Sequence, residues 1–332
     1  MLGVLYAALG AFTFSLNNVM MRRGVVTGSV LQGMALTVPI GALSFLVMAV
    51  CFGALDQLVA FPTVALVWLA GQGVTHFVMG RYCNYKSNQL MGVNLAGPVV
   101  QLQVPFAMML AVVTLHERFT VLQAIGSTLM LGGSFATQSN AAKRKQKGSA
   151  PEPKPKPIFE PRVFSGYVFG LAAAMCYGSS PLMARQAFLH APGVSAVAGG
   201  CVAYAAATLV FALVLLKPGS YGDIKGMKRE NLPWFLSSAV LVAVSQAFVY
   251  ASLAIAPLMV VTPILQLSLV FRLFLSQLIN RDHEVMNIAV LIGAGTAVLG
   301  SILVSLPTEE LSRVLDLPPS LAGFLSYRLA GQ

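Results

Sequence analysis

The sequence predicts an all-α membrane protein of ten transmembrane helices, arranged as two inverted five-helix repeats. Three observations predict it. The 332 residues are 57% hydrophobic and only 10% charged, with a mean hydropathy of +0.77, whereas soluble domains carry roughly 25% charged residues. Several apolar runs reach the ~20 residues that span a bilayer. A polar stretch rich in Pro and Lys, residues 139–163, divides two hydrophobic halves that resemble each other. Its composition cannot bury a core and reads as an exposed linker.

Taken in order, the spans of the first half are 2–21, 29–51, 62–83, 90–115 and 121–138. Those of the second are 164–184, 194–216, 232–252, 257–279 and 285–306. The opening MLGVLYAALGAF has no basic n-region and no obvious cleavage site, so it reads as a retained first helix. The tail, 307–332, is too mixed to span and is expected to form a short surface segment.

The repeat shows most clearly late in each half. His116-Glu117 is followed by Gly126 and Gly133-Ser134; His283-Glu284 is followed at the same spacing by Gly293 and Gly300-Ser301. Six of nineteen positions are identical between 116–134 and 283–301, where chance gives roughly one or two. Pro98-x-x-Gln101-Leu102 echoes Pro263-x-x-Gln266-Leu267, and Gly3 through Arg22 echoes Gly166 through Arg185. The order holds across the half, which marks an internal duplication. Five spans per copy is odd, so the second copy enters the membrane from the opposite side. Secondary transporters use such inverted repeats, with substrate held near the midplane between them.

The pattern Pro98…Leu115-His116-Glu117-Arg118-Phe119-Thr120…Gly126…Gly133, repeated in degraded form from Pro263 to Gly300, resembles the signature of EamA-type members of the drug/metabolite transporter (DMT) superfamily. The resemblance covers 1–138 and 164–306 as two EamA-like repeats. It implies ten helices, with 1, 3, 4, 6, 8 and 9 around a central cavity and 5 and 10 packing the halves together. His116 and His283 depart from the pattern, which usually has Gly before the Glu. The first span also lacks the embedded Glu of the small multidrug exporters.

Chemistry inside the membrane is expected from polar residues within spans. No Asp or Glu lies mid-span, which argues against a proton-antiporting exporter of lipophilic cations and leaves a proton or sodium as coupling ion open. On the third span, Gln72, Thr75, His76 and Met79 share one helical face. His76 reads either as a substrate or proton contact or as a structural histidine. Arg272, nine residues past Pro263, faces a cavity or snorkels to the interface. Arg81 and Lys86 mark a cavity mouth or a topology signal. Gln101 and Gln266 are repeat-related and expected to face each other; Gln246 and Tyr250 form an i, i+4 pair aimed the same way. Asn17 and Asn18 on the first span and Tyr177 on the sixth complete the candidates. Glu117 and Glu284 read as helix-capping residues.

No catalytic residue, cofactor or metal site is expected. The four cysteines show no metal-like or disulfide spacing. Net charge is +10, yet the Lys and Arg cluster in the linker and at span ends. That is a pattern of topology signals and anionic lipid contacts, not of nucleic-acid binding.

The expected function is alternating-access transport of a small polar metabolite, anionic or zwitterionic, such as an amino acid or organic acid. A lipid flippase and a non-transporting scaffold are the alternatives, and monomer and homodimer stay open. The site of action is the inner (plasma) membrane. The linker side carries most of the Lys and Arg, while the other side holds only Arg118, Arg185, Arg313 and Arg328. Charge therefore places the linker in the cytoplasm; the family resemblance implies cytoplasmic termini instead.

Overall fold

The structure is a computed structural model that describes residues 2–115, 119–133, 160–255, 264–265, 267–284, 288–305, 308–314 and 316–330. Linker residues 139–159, the His116-Glu117-Arg118 stretch, Pro263 and Gln266 lie outside the described residues, as does the side chain of Tyr250.

Helix α1 runs over Leu2–Thr27 and α2 over Val30–Cys51. Ser29 starts α2 with a capping box: its side chain accepts from Gln32 N–H, and the Gln32 side chain accepts from Ser29 N–H. Helix α3 occupies Thr63–Met91. Two α-helical arms, Thr63–Gly73 and Arg81–Met91, are joined by a π-helical segment, Val74–Gly80. The sequence expectation ended this span at residue 83. The helix continues because Asn84, Ser87 and Asn88, polar residues that read as an exit into water, are buried against neighbouring helices. Gly92 ends it with φ +83°, a backbone that favours glycine.

The fourth span is divided into α4, Val93–Val100, and α5, Gln103–Leu115, by a turn at Gln101 and Leu102. Pro105 explains the break. It has no N–H to return to Gln101 O, which instead accepts from Val104 N–H at 3.1 Å. Then follow α6, Val121–Gly133, α7, Val163–His190, α8, Ala196–Leu215, and the short α9, Ser220–Lys225. Helices α10, Leu232–Ile255, α11, Ser268–Ile279, and α12, Ile288–Ser305, complete the second half. The tail folds into α13, Thr308–Val314, and α14, Pro319–Ser326. Its last residues, Arg328–Ala330 (β2), pair antiparallel with Phe119–Thr120 (β1).

Among the described residues, six helical stretches are long and apolar enough to cross a membrane: α1, α2, α3, the α4–α5 pair, α8 and α10; α6, α11 and α12 are shorter apolar helices. Leu43, Val67, Leu209, Leu213, Phe274 and Leu278 are exposed on this surface. So large an apolar surface suits hydrocarbon and not water. The largest core cluster joins Met34 and Phe45 of α2, Phe77 of α3, Tyr204 and Phe211 of α8, and Phe235 of α10.

The packing crosses between halves. Helix α1 lies along α10 and α11, α7 lies along α3 and the α4–α5 pair, and α2 meets α8. Exchanging the halves of the repeat alignment turns the first set into the second and leaves α2–α8 unchanged. The glycines of α6 and α12 obey the same exchange. A Cβ on Gly126 would fall 2.6 Å from Gly300 O, and one on Gly133 would fall 2.5 Å from Gly293 O. The alignment equates Gly126 with Gly293 and Gly133 with Gly300, so each contact maps onto the other. Glycine at all four positions lets the two backbones touch.

Candidate functional site

Buried polar residues lie where α3 packs against α1, α2, α7 and α8, and Arg272 of α11 lies against α4. The π segment of α3 alters its register. Residues five apart on an α-helix point roughly 140° from one another, so His76 and Arg81 would diverge. Here Arg81 N–H donates to His76 O, the i→i+5 bond of a π turn, which narrows that angle, yet the two side chains still bond to different neighbouring helices. Met79, grouped with His76 by α-helical spacing, is exposed instead; the π turn shifts the register after Val74.

His76 Nδ1 lies 2.9 Å from Ser180 Oγ on α7, and Gln72 Nε2 donates to the same Oγ at 3.0 Å. The His76 ring stands 4.6 Å from the Tyr177 ring. Gln72, His76 and Tyr177 therefore form one α3–α7 contact. Arg81 is buried and turned the other way, toward α2 and α8. Its Nη1 donates to Thr37 O and its Nη2 to Tyr204 Oη, both at 2.9 Å, and the guanidinium lies over the Phe77 and Tyr204 rings. Both hydrogen-bond partners are neutral.

Arg272 is different. The side chain is only 4% exposed, which disposes of snorkelling as the reason for its place. Its Nε and Nη1 are buried without a hydrogen-bond partner. The guanidinium lies against bare helix at Gly97, where an added Cβ would fall 3.2 Å from Nη1. Tyr177 is within electrostatic reach of both Arg272 and Arg81, and Glu284 is within reach of Arg272. Among the described residues, neither arginine has a carboxylate at salt-bridge distance; the ion pair found is Arg22–Glu284.

The remaining candidates are spread around this centre. Asn18 Oδ1 accepts from Asn84 and Asn88, each at 3.1 Å, while Asn17 Oδ1 accepts from Ser238 of α10 at 2.6 Å. Gln101 is buried at the α4–α5 turn, with Gln103 Nε2 3.3 Å from its Oε1. Gln246 is partly buried on α10. The Tyr250 side chain and Gln266 lie outside the described residues. Asn84, Asn88 and Tyr204 were not singled out by the sequence. The signal for the first two was present: Arg81, Asn84, Tyr85 and Asn88 recur at i, i+3, i+4 and i+7.

Clefts open at the linker-side end of α3. One of about 380 Å³ is lined by residues that include Ser29, Gln32, Lys86, Gln89 and Asp223. A second, of about 330 Å³, shares Lys86 and Gln89 and reaches Glu160 and Arg162. No group of His, Cys, Asp or Glu among the described residues is arranged to hold a metal.

A profile of the EamA-like transporter family matches residues 1–138 and 164–306. The chain belongs to that family. Its EamA halves flank the polar linker, and its place is a membrane, with multiple passes. Among solved structures it is similar to one described only as a crystal structure of a protein, with a TM-score of 0.51 and 17% identity over 94% of this chain and 99% of that one. At that identity the likeness is of fold alone. No curated protein matches this EamA chain.

Proposed function

We propose that this EamA-type protein is a secondary transporter for a small polar metabolite, anionic or zwitterionic, moved by alternating access. Ten spans in two inverted halves rock about a midplane site, and the exchange of Gly126–Gly300 with Gly133–Gly293 supports that arrangement. In the cell the protein sits in the inner membrane with the linker in the cytoplasm, a reading supported by its charge asymmetry.

One observation carries the substrate class: the buried Arg272, whose Nε and Nη1 have no hydrogen-bond partner. A buried cation is costly unless an anion pairs with it. Arg81 adds a second buried cation bonded only to neutral oxygens. A substrate carboxylate or phosphate supplies what the described residues do not, through charge-assisted hydrogen bonds. His76, Gln72 and Tyr177 line the α3–α7 side of the path, and Asn18 the α1 side.

The test is uptake by the full chain in proteoliposomes, over a panel of labelled amino acids, organic acids, sugar phosphates, neutral sugars and organic cations. Accumulation of a carboxylate- or phosphate-bearing member is expected. Uptake confined to neutral sugars or cations overturns the reading.

A further inference from the structure

Helices α2 and α8 pack together across the boundary between the halves, and a groove opens at each end of the pair. The groove away from the linker, about 480 Å³, runs from Leu43 and Leu46 of α2 to Val202 of α8 and has no charged side chain in its lining. The groove at the linker end, about 530 Å³, is built differently. Its walls are Leu31 and Met34 of α2, Met79 of α3, and Phe211 and Val214 of α8. Met79 and Val214 are 54% and 39% exposed, so the apolar wall opens sideways to the bilayer. Its mouth is polar, with Tyr82, Lys217, Ser220 and Asp223. Leu31, Tyr82 and Asp223 also line the cleft of about 380 Å³ that holds Lys86. The two lysines therefore border one continuous space.

Local sequence builds this mouth. Gly219, at φ +92°, a backbone that favours glycine, turns the chain from α8 into α9. Ser29 Oγ then donates to Asp223 Oδ2 at 2.6 Å, and Gln32 Nε2 donates to Asp223 O at 2.7 Å. These bonds hold α9, of the second half, against the α1–α2 corner of the first. Asp223 is thereby engaged in joining the halves. Lys86 Nζ donates to the neutral Gln89 Oε1 at 2.8 Å, and neither Lys86 nor Lys217 has an ion pair among the described residues.

Three chemistries compete for such a place. A free phosphate matches the lysines and leaves the apolar walls bare. A zwitterionic lipid fills the walls but brings an ammonium up to two lysines. A lipid with a net negative head group satisfies both ends: its acyl chain packs along the walls, and its phosphate meets basic side chains at the membrane surface.

We propose that this groove binds an anionic phospholipid of the linker-side leaflet, with its phosphate at Lys86 and Lys217 and one acyl chain along Met34, Met79 and Phe211. Helices α2 and α3 belong to one half and α8 and α9 to the other, so the lipid bridges the seam between them. The groove at the far end takes acyl chains without regard to head group.

The experiment titrates the melting temperature of the full chain, in a neutral detergent, with dioleoyl phosphatidylglycerol, phosphatidylethanolamine and phosphatidylcholine, and with glycerol 3-phosphate as a head group without tails. Phosphatidylglycerol should stabilise at a concentration about ten-fold or more below phosphatidylcholine. Lys86→Gln with Lys217→Gln should erase that preference. Lys228→Gln with Arg229→Gln removes the same charge from exposed residues on the same side and should keep it. Equal action of the three lipids, or strongest action by phosphatidylethanolamine, overturns the proposal. So does a preference that survives the double lysine variant, or one that the Lys228 and Arg229 variant erases equally, which would mark diffuse surface charge. Glycerol 3-phosphate acting as well as phosphatidylglycerol would show a soluble phosphate ligand and overturns it too.

Discussion

The guanidinium of Arg22 and the carboxylate of Glu284 meet at 3.2 Å between the two halves, with side chains 1% and 0% exposed. The carboxylate also accepts from Val93 N–H at 3.0 Å and Asn94 N–H at 3.1 Å. It therefore caps α4, a helix of the other half, and its negative charge sits at a positive helix end. Arg22 is fixed in turn by Gln89 O at 2.7 Å and His283 O at 2.9 Å. A Cβ on Gly92 would fall 2.6 Å from Glu284 Oε2, so glycine there makes room for the carboxylate. His283 is held below the usual histidine range by desolvation and by Arg23 and Arg22 nearby. It is therefore neutral at pH 7 and adds no further cation.

Removing one partner of a buried pair leaves the other uncompensated, at a cost of about 3–5 kcal/mol. Arg22→Ala and Glu284→Ala should each lower the melting temperature in detergent strongly. Glu284→Gln should cost less, because its amide oxygen still accepts one α4 N–H. The double variant Arg22→Met with Glu284→Leu should melt above either alanine variant. Single variants as stable as the native chain would show that the pair is not structural.

Helix crossings at glycine predict a second contrast. Gly126→Val places side-chain atoms against the Gly300 backbone, whereas Gly132, with nothing within 4 Å of an added Cβ, should accept valine with a change within about 0.5 kcal/mol. Gly73→Val should fail like Gly126→Val, since its Cβ would overlap Ala203 O. Melting curves of the three variants decide this, and equal stability of Gly126→Val and Gly132→Val would contradict the α6–α12 contact.

Much of the fold was legible because lipid-facing helices advertise themselves by apolar length, and because the halves repeat the same glycines. Two features were not legible for physical reasons. Glu284 read as a helix cap, but that the helix is α4 of the other half, with Arg22 as ion partner, comes only from the fold. Asn84 and Asn88 follow an apolar run and read as a helix leaving the membrane, yet both are buried and bonded to Asn18 of α1. The π turn at Val74–Gly80 carries no sequence mark of its own, so α-helical spacing misplaced Met79 while correctly joining Gln72 to His76. Arg272 was legible as a costly charge, but its lack of partners depends on what the neighbouring helices do not provide.

Membrane orientation gives a third prediction. In a variant without its four native cysteines, Ser149→Cys should resist an impermeant maleimide in intact cells, and Gly331→Cys should react. The positive-inside rule requires this pattern. The reverse labelling would place both termini in the cytoplasm.

The most direct test of the account is Arg272 itself. A charge-assisted hydrogen bond is worth about 1.5–3 kcal/mol, or roughly ten- to a hundred-fold in affinity. For the transported substrate in proteoliposomes, Arg272→Gln should weaken half-saturation by that factor while the protein still melts cooperatively. Arg272→Lys should recover part of the loss, since it keeps the charge without the fork. Unchanged half-saturation in a folded Arg272→Gln protein would contradict the central claim that an anion completes this site.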